Sequence, residues 1–135
     1  MERRVGKLAE VIYRPPMSLE QLSAFVADVR AAVQRAATPL AFVCDWRAVD
    51  RFEPTFADTI VWTMRRDNAN VLANGVLVAQ DNVFLYEQVA QVLREAKKPE
   101  RQVFRSRREL ATFLDGYLSP EERTRRDEFL DDNER

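Results

Sequence analysis

Apolar residues recur along the chain in short blocks with two different periodicities. Residues 5–13 alternate loosely and include β-branched and aromatic side chains, which predicts a strand with one solvated face. A pair of prolines ends this strand. Apolar positions then follow at helical spacing to about Ala36, and Ser18 with Gln21 forms a capping box at the start of the predicted helix.

The segment that follows is the most informative part of the chain. A run of apolar residues over 40–45 ends abruptly in Asp45, a polar loop follows, and Pro54 begins a helix that continues to about Asn68. This order predicts a buried strand whose carboxyl end reaches the rim of an α/β sheet. Ligands and partners usually bind at that rim, so we expect the working surface of the molecule here.

Strands and helices continue to alternate in the second half of the chain. Residues 75–79 and 102–105 form short runs that predict two further strands. Asn82 caps the helix after the first of them, and Ser106 with Glu109 forms a capping box after the second. The order β-α-β-α-β-α-β-α predicts a single α/β domain with a mostly parallel sheet of four to five strands and covering helices.

A last, highly charged helix is predicted to begin after Ser119. Its apolar content is thin, chiefly Phe129 and Leu130. The pattern leaves two interpretations open, a loosely docked extra helix and a handle for a partner. We therefore divide the chain into a domain over residues 1–118 and a charged helical extension over residues 119–135.

Composition narrows the function mainly through what the chain lacks. Its 135 residues carry 21 basic and 22 acidic side chains, so no overall field favours nucleic acid or a membrane surface. There is no histidine, the commonest general base and zinc ligand, and the three glycines are isolated, which excludes a Walker loop and a dinucleotide fingerprint. A single cysteine, no signal peptide and no apolar run of membrane-spanning length predict a cytoplasmic protein. We expect a non-enzymatic protein without cofactor or metal.

Acidic residues cluster near the predicted rim. Asp45, Asp50, Glu53 and Asp58 lie close to Arg47 in the sequence. Such a set could form a polar pocket for a ligand or a hard divalent cation, or a docking site for a protein. The plainer interpretation is that Asp45 caps a turn, Asp58 caps a helix and the other charges are solvated. The spacing of these acids matches no known metal-binding loop.

Two interpretations are open for Thr55 and for Trp46, whereas Cys44 has only a structural one. Thr55 with Asp58 is a candidate capping pair. Thr55 is also a candidate phosphoacceptor, because unpaired amides at a helix N-terminus stabilise a phosphate. Cys44 lies inside an apolar strand with no histidine or cation beside it, so we expect a core residue. Trp46 either closes the end of the sheet or lines a pocket.

Trp62 precedes Arg65 and Arg66 on the predicted helix. An exposed aromatic–arginine patch of this kind would be a good hot spot for a protein partner. The alternative is that Trp62 packs partly under the sheet and the arginines are solvated.

The most basic segment covers residues 94–108. It could contact phosphates, but Phe104 is its only aromatic residue, so a solvated loop and helix start is the expected structure. The acidic last helix could pair with this segment within one chain or between two chains, which leaves a homodimer open.

With this order of elements, the chain resembles the STAS/SpoIIAA-like superfamily, the fold of bacterial anti-sigma-factor antagonists and their relatives. The resemblance covers about residues 5–117. It rests on the strand that ends at residues 43–45, on residues 52–55 running into a helix, and on the short strand at 103–104 followed by residues 108–114. The family implies a role in binding another protein.

The family's phosphorylation switch is not carried over by this chain. Its motif in the loop before the helix is Asp-Ser-Ser/Thr-Gly, in which a partner kinase phosphorylates the serine. The corresponding residues here are Glu53, Pro54, Thr55 and Phe56. Pro54 stands where the phosphorylated serine would be, so the resemblance implies binding without that serine switch.

We therefore expect a bacterial, cytoplasmic STAS-like domain that binds another protein, with no nucleic acid, no membrane insertion and no cofactor. The expected docking rim comprises Asp45, Arg47, Glu53, Thr55, Asp58, Trp62, Arg65 and Arg66. The alternative is a small-molecule or lipid-binding domain with an apolar cavity under its helices. The side chains expected to line such a cavity are Phe42, Phe56, Phe84 and Tyr86.

Overall fold

The structure, a computed structural model, describes residues 2–15 and 18–133. Its strands are β1 (Glu2–Val5), β2 (Leu8–Ile12), β3 (Leu40–Asp45), β4 (Val71–Leu77) and β5 (Arg101–Phe104). Its helices are α1 (Leu19–Arg35), α2 (Pro54–Asp67), α3 (Val83–Ala96), α4 (Arg107–Asp115) and α5 (Pro120–Asp132). A short 3-10 turn over Asn68–Asn70 joins α2 to β4.

The strands form one sheet in the order β1-β2-β3-β4-β5. β1 and β2 make an antiparallel hairpin, whereas β2 to β5 run parallel, each beside the next strand in the sequence. α1, α2 and α3 connect successive parallel strands and pack on the same face of the sheet. α4 and α5 pack on the other face, against β4 and β2 respectively. The predicted α/β class with a mostly parallel sheet is confirmed.

The sheet separates two apolar cores. Phe42 and Cys44 of β3 belong to the core beneath α1, α2 and α3, whereas Val43 belongs to the core beneath α4 and α5. Because helices cover both faces of the sheet, β3 is buried along its whole length. The predicted strand over 40–45 is confirmed, and Cys44 is a core residue as predicted.

The N-terminal strand differs from the prediction. A turn at Gly6 and Lys7 divides the strand expected over residues 5–13 into β1 and β2. Gly6 adopts a left-handed conformation with a φ of 58°, which glycine reaches without steric cost. The solvated face expected for this strand is also wrong, because Glu10 is only 2% exposed and pairs with Arg125 of α5.

β4 begins at Val71 rather than at residue 75. The sequence pattern stops short of Asn74 because asparagine is typical of turns, but here Asn74 is buried within the strand. The thiol of Cys44 lies 3.4 Å from Asn74 Oδ1, and this hydrogen bond offsets the burial of the amide. β5 likewise begins at Arg101, one residue before its predicted start.

Three of the predicted helix caps are present. Ser18 Oγ accepts from the Gln21 N–H at 3.1 Å, and the Gln21 side chain accepts from the Ser18 N–H at 2.8 Å, which completes the capping box of α1. Asn82 caps α3 through its side-chain oxygen. Ser106 Oγ accepts from the Glu109 N–H at 3.2 Å at the start of α4, which is one half of the capping box predicted there. These caps explain why the starts of α1, α3 and α4 agree with the sequence pattern.

α2 begins at Pro54 as predicted, but Thr55 does not cap it. The residue before the helix is Glu53, whose side chain makes no capping hydrogen bond. Proline suits the first helical position because its fixed φ is helical and it has no N–H to satisfy. Thr55 and Asp58 therefore lie within the helix, and the predicted capping pair is wrong.

α5 is docked through buried side chains, so the first of the two interpretations left open for this helix, loose docking, is wrong. The second, a handle for a partner, stays a prediction. Phe129 and Leu130 are buried in the core on its side of the sheet. Arg107 of α4 pairs with Asp131 of α5 at 2.6 Å, which confirms contact between the basic segment and the last helix within one chain. The domain boundary after residue 118 stays a prediction.

Candidate functional site

The outer side of α2 brings together most of the predicted docking residues. Thr55, Asp58, Trp62, Arg65 and Arg66 all lie on α2 with exposed side chains. Because a turn of helix contains about 3.6 residues, their spacing places them along one stripe of the helix. We call these five residues the α2 face.

Trp62 lies at the centre of the α2 face. It is 64% exposed, so the alternative that it packs under the sheet is wrong. The guanidinium carbon of Arg66 lies 4.9 Å from the indole centroid, a cation–π contact that restrains both side chains. Arg66 Nε also lies 3.6 Å from Asp67 Oδ1, and Arg65 Nε donates to the Glu95 carbonyl of α3 at 2.6 Å. The α2 face is therefore held in a defined shape.

Asp45 and Arg47 lie apart from the α2 face. Asp45 is 2% exposed, and its carboxylate accepts from Arg47 Nε at 3.0 Å, from Nη2 at 2.8 Å and from the Arg47 backbone N–H at 3.1 Å. The same guanidinium donates to the Leu130 carbonyl of α5 at 2.8 Å. Asp45 thus caps a turn, as the plainer interpretation holds. The sequence predicted that Asp45 and Arg47 share one rim with the residues of α2. Instead, this pair of residues links the sheet to α5.

Glu53 and Asp50 are exposed in the loop between β3 and α2. This loop is fastened to α3, because Gln88 exchanges hydrogen bonds of 2.9 and 2.7 Å with the backbone of Phe52. Asn82 Nδ2 also donates to the Asp50 carbonyl at 2.8 Å. Within residues 2–15 and 18–133, no group of three or more cysteine, aspartate or glutamate side chains is arranged to hold a metal ion.

A cavity lies between the sheet and the helices α1 and α2, and we call it the α1–α2 cavity. Its volume is about 90 Å³, whereas pockets that hold drug-sized ligands have volumes of roughly 300–1,000 Å³. Phe42 and Phe56 line it as predicted. Phe84 and Tyr86 do not, because Phe84 is 63% exposed on α3 and Tyr86 packs beneath Arg105 at 5.2 Å. This volume is below the range of pockets that hold drug-sized molecules and is too small for a lipid chain.

Aromatic rings form much of the cavity wall. Tyr13 packs edge-to-face on Phe25 and Phe52, and Trp46 packs edge-to-face on Phe52 with ring centroids 5.2 Å apart. Trp46 is 6% exposed, and its indole Nε1 has no hydrogen-bond partner among the described residues. Of the two alternatives predicted for Trp46, the structure shows the pocket-lining one.

Arg101 and Asp67 line the same cavity, although the sequence pattern does not indicate them. Arg101 is buried and donates to Asn68 Oδ1 at 2.9 Å and to the Met64 carbonyl at 3.3 Å. Burial lowers the pKa of Arg101 to about 10, and nearby Asp67 opposes part of that shift. Arg30 of α1 donates to Asp67 Oδ1 at 3.2 Å. These contacts satisfy both charges and join the end of α2 to α1 and β5.

Cys44 and Asn74 also line the cavity. Burial raises the pKa of the Cys44 thiol to about 12, and the smaller effects of Arg101 and Asp45 oppose each other. The thiol is therefore protonated at neutral pH, which makes it a poor nucleophile. The short apolar run that directly follows Asn74 is the signal that could have placed this residue inside the strand. Its side chain faces the core.

The basic segment over residues 94–108 does not form one surface. Arg101 points into the core, Arg105 lies over an aromatic ring of α3, and Arg107 pairs with Asp131 of α5. These arginines are engaged by three different parts of the fold. The predicted solvated segment is therefore wrong for Arg101.

Comparisons of the chain with protein-family models, with curated proteins and with solved structures find no match. Among residues 2–15 and 18–133, no helix combines the length and the apolar character that crossing a bilayer requires. The α2 face, at the surface, and the α1–α2 cavity, in the core, are two candidate sites that the structure presents.

Proposed function

We propose that this chain is a non-enzymatic, STAS/SpoIIAA-like domain that binds another protein through the α2 face. The observation that carries the proposal is Trp62, a large aromatic side chain that is 64% exposed and stacked by Arg66. Tryptophan and arginine dominate the energetics of protein interfaces because they bury much apolar area and form directional contacts. A partner that covers Trp62 would gain this energy with little further ordering of the two side chains.

The charges of the α2 face indicate the chemistry of the partner. Asp58 lies near the start of the helix, and Arg65 and Arg66 lie in its last turn, where cations are favoured by the helix dipole. A complementary surface would place carboxylates opposite the two arginines and an apolar pocket over Trp62. Such complementarity mainly accelerates association and selects between partners.

The STAS-like part of the proposal is supported by the order of elements. Strands β2 to β5 follow one another across the sheet, and β3 leads through a loop into α2 at Pro54. Proline at the first helical position leaves no serine hydroxyl there, so binding would proceed without the serine switch. The side chain of Thr55 is exposed in the first turn and remains open to modification.

The non-enzymatic part is supported by the side chains available. The chain has no histidine, and the thiol of its one cysteine is protonated at neutral pH. A buried free thiol also suits a reducing compartment, so we propose the cytoplasm as the location.

The test compares capture of proteins from the cells of origin by the wild type and by the double variant Thr55→Ala/Trp62→Ala. We expect at least one protein to be captured by the wild type and to fall about tenfold or more with the variant, the effect of losing a hot spot. Quantitative mass spectrometry gives the ratio, and titration calorimetry with the purified partner then gives the affinity.

The matched control is Arg108→Ala/Thr112→Ala, which removes two exposed side chains of α4 on the opposite face of the sheet. Both variants should keep the melting temperature of the wild type, because each removes only exposed side chains. If every captured protein binds both variants as well as it binds the wild type, the α2 face is not the docking site.

A further inference from the structure

β5 lies at an edge of the sheet, and a groove runs beside that edge. β4 is its neighbour on one side, and among residues 2–15 and 18–133 no strand pairs with its other side. The groove between this edge and α3 has a volume of about 510 Å³, and we call it the β5 groove; its lining includes Tyr86, Leu93, Arg94, Lys97, Lys98 and Val103. We propose that the β5 groove binds an extended peptide in which acidic and apolar residues alternate, and that this peptide adds a strand to β5. The proposal does not depend on the α2 face.

The backbone of β5 offers hydrogen bonds to a further strand. In a parallel ladder, alternate residues of a strand direct their N–H and C=O groups to opposite neighbours. The carbonyls of Glu100 and Phe104 accept from the N–H groups of Asn74 and Val78 at 2.9 and 3.0 Å. Val103 therefore directs its N–H and C=O away from β4, toward the groove. Outward backbone groups of this kind are the ones that an added strand uses.

Three cations of the basic segment lie together in the β5 groove. Arg94, Lys97 and Lys98 line it, and no carboxylate is among the described residues that do so. Arg94 donates to the neutral side chain of Gln91 at 2.6 Å, and Lys98 Nζ lies 3.9 Å from Glu100 Oε1. The groove is thus positively charged, although the chain as a whole has a formal net charge of −1. Carboxylates on a peptide would complement this charge.

The other face of the sheet at β5 is aromatic. Successive side chains of a strand point to opposite faces, so Val103 packs toward α3 and Phe104 toward α4. Phe104 packs on Phe113 with ring centroids 5.4 Å apart, and Phe113 packs on Tyr117 at 5.6 Å. All three rings are half-buried, so they keep apolar surface that a further strand would cover. An added strand meets cations with every second side chain and aromatic rings with the others, which is why acidic and apolar residues must alternate.

The same cations argue against a second copy of this chain as the occupant. Pairing of two β5 edges would bring the cations of two grooves together, and like charges across a sheet are destabilising. Charged residues on an edge strand commonly prevent such self-association. A single-stranded nucleic acid would match the charge but could not pair with the β5 backbone. An acidic, extended peptide is the occupant that uses both features.

The experiment uses an acetylated and amidated octapeptide in which glutamate and valine alternate. Titration into the ¹⁵N-labelled protein should give saturable binding with a Kd on the order of 100 μM. The amide proton of Val103 should shift downfield and exchange more slowly, because it gains an acceptor. Affinity should fall several-fold between about 20 and about 200 mM salt, since exposed charges are screened. The matched control peptide has lysine in place of glutamate and should bind about tenfold more weakly or less well still.

Two further peptides test strand addition in the wild-type protein. One carries N-methyl groups on its glutamate amides and the other on its valine amides, so both keep the side chains of the parent peptide. The glutamates face the same side of the sheet as Val103, and they would pair with its backbone in an antiparallel strand, whereas the valines would do so in a parallel strand. Binding should be lost with one of the two methylated peptides, which then reports the direction of the added strand.

Three protein variants locate the site. Arg94→Gln/Lys97→Asn removes two cations and should weaken binding about fivefold; asparagine tolerates the left-handed conformation of residue 97. Val103→Pro removes an N–H that does not bond to β4 and places a proline ring at the edge, so it should weaken binding about tenfold or more. Arg51→Gln/Arg66→Gln is the matched control, because it removes two exposed arginines outside the groove and should leave the affinity unchanged.

Four results with the wild type would overturn the proposal. The first is a Val103 amide signal that the glutamate peptide does not move, and the second is equal affinity for the lysine peptide. The third is full affinity of both methylated peptides, which would mean that no strand is added. The fourth is binding of an eight-nucleotide oligothymidylate without binding of the glutamate peptide, which would assign the β5 groove to nucleic acid. Because these results need no variant, they decide the matter even where Val103→Pro fails to fold.

Discussion

α1 and α5 cover opposite faces of the sheet and are held there in opposite ways. α1 carries the apolar stripe of an ordinary amphipathic helix, yet Phe25 and Val29 remain half-buried above a cavity. α5 is one of the most charged segments of the chain, yet Phe129 and Leu130 are buried and Arg126 is almost fully enclosed. The helix with the better apolar pattern is the less buried of the two.

The difference comes from what each helix meets. Arg125 of α5 meets Glu10, a carboxylate on the sheet, and Glu122 of α5 accepts from the backbone N–H of Lys7 at 2.8 Å. These contacts fix the helix over the sheet, so its few apolar residues are enclosed. α1 instead meets aromatic rings that leave space between them. A helix's own pattern predicts that it packs, whereas its partners decide how completely it is buried.

The largest effect is expected from breaking the ion pair beneath α5. Arg125→Met leaves the Glu10 carboxylate, which is 2% exposed, without its bidentate partner. Removing one member of a buried pair costs about 3–5 kcal/mol of unfolding free energy, because the remaining charge is uncompensated. Urea denaturation followed by circular dichroism measures the loss.

Two further variants show whether burial is the cause. Arg123→Met removes a more exposed arginine of the same helix. Its Nε lies 3.7 Å from Asp115 Oδ1 and its Nη2 donates to the Asp115 carbonyl at 2.7 Å, and its loss should cost about 1 kcal/mol or less. Adding Glu10→Met to Arg125→Met should restore most of the stability, since no buried charge then remains. If Arg125→Met alone is as stable as the wild type, apolar contacts and not the ion pair hold α5.

A smaller effect, with a clear pH dependence, is expected at Glu122. Burial alone would raise the pKa of Glu122, but hydrogen bonds from the Ser119 and Lys7 amides and the ammonium of Lys7 outweigh it and lower the pKa. A carboxylate with a lowered pKa stabilises the folded state above its unfolded value, about 4.3, and loses this effect as the pH falls through the folded value. Glu122→Gln should therefore cost about 1–3 kcal/mol at pH 7.

The pH series is the test of this assignment. The difference in unfolding free energy between the wild type and Glu122→Gln should shrink as the pH falls below about 4, because the wild-type side chain becomes neutral there. Other carboxylates titrate in both proteins and cancel in the difference. A difference that stays constant across the acid range would show that the charge of Glu122 does not hold α5.

The same contrast explains what the sequence could predict. β3 and the start of α2 were predictable because an uninterrupted apolar run and a proline at the first helical position are local signals. The burial of Glu10 was not predictable, because its partner Arg125 lies 115 residues away. A short strand with alternating residues looks solvated on one face until the helix that covers that face is known.

The same distinction between local signals and contacts of distant elements applies to the candidate site. The α2 face was predictable, because residues spaced by three and four on one helix must share a stripe. The cavity was predictable only in part, since Phe42 and Phe56 line it but Phe84 does not. No local pattern reports that two packed layers leave a gap, or that Trp46 lacks an acceptor for its N–H. Both are properties of how distant elements meet.

The smallest effect is expected in α1. Leu22→Ala should cost about 1 kcal/mol of unfolding free energy, because the half-buried side chain loses only part of its transfer energy. Leu130→Ala in α5 is the matched comparison, since this leucine is fully buried and the same truncation there should fall within about 2–5 kcal/mol. Native-state hydrogen exchange should agree, with amides of α1 opening at a lower free energy than those of α5. Equal losses for the two leucines would mean that α1 is packed as closely as α5, and that the α1–α2 cavity has no loose cover.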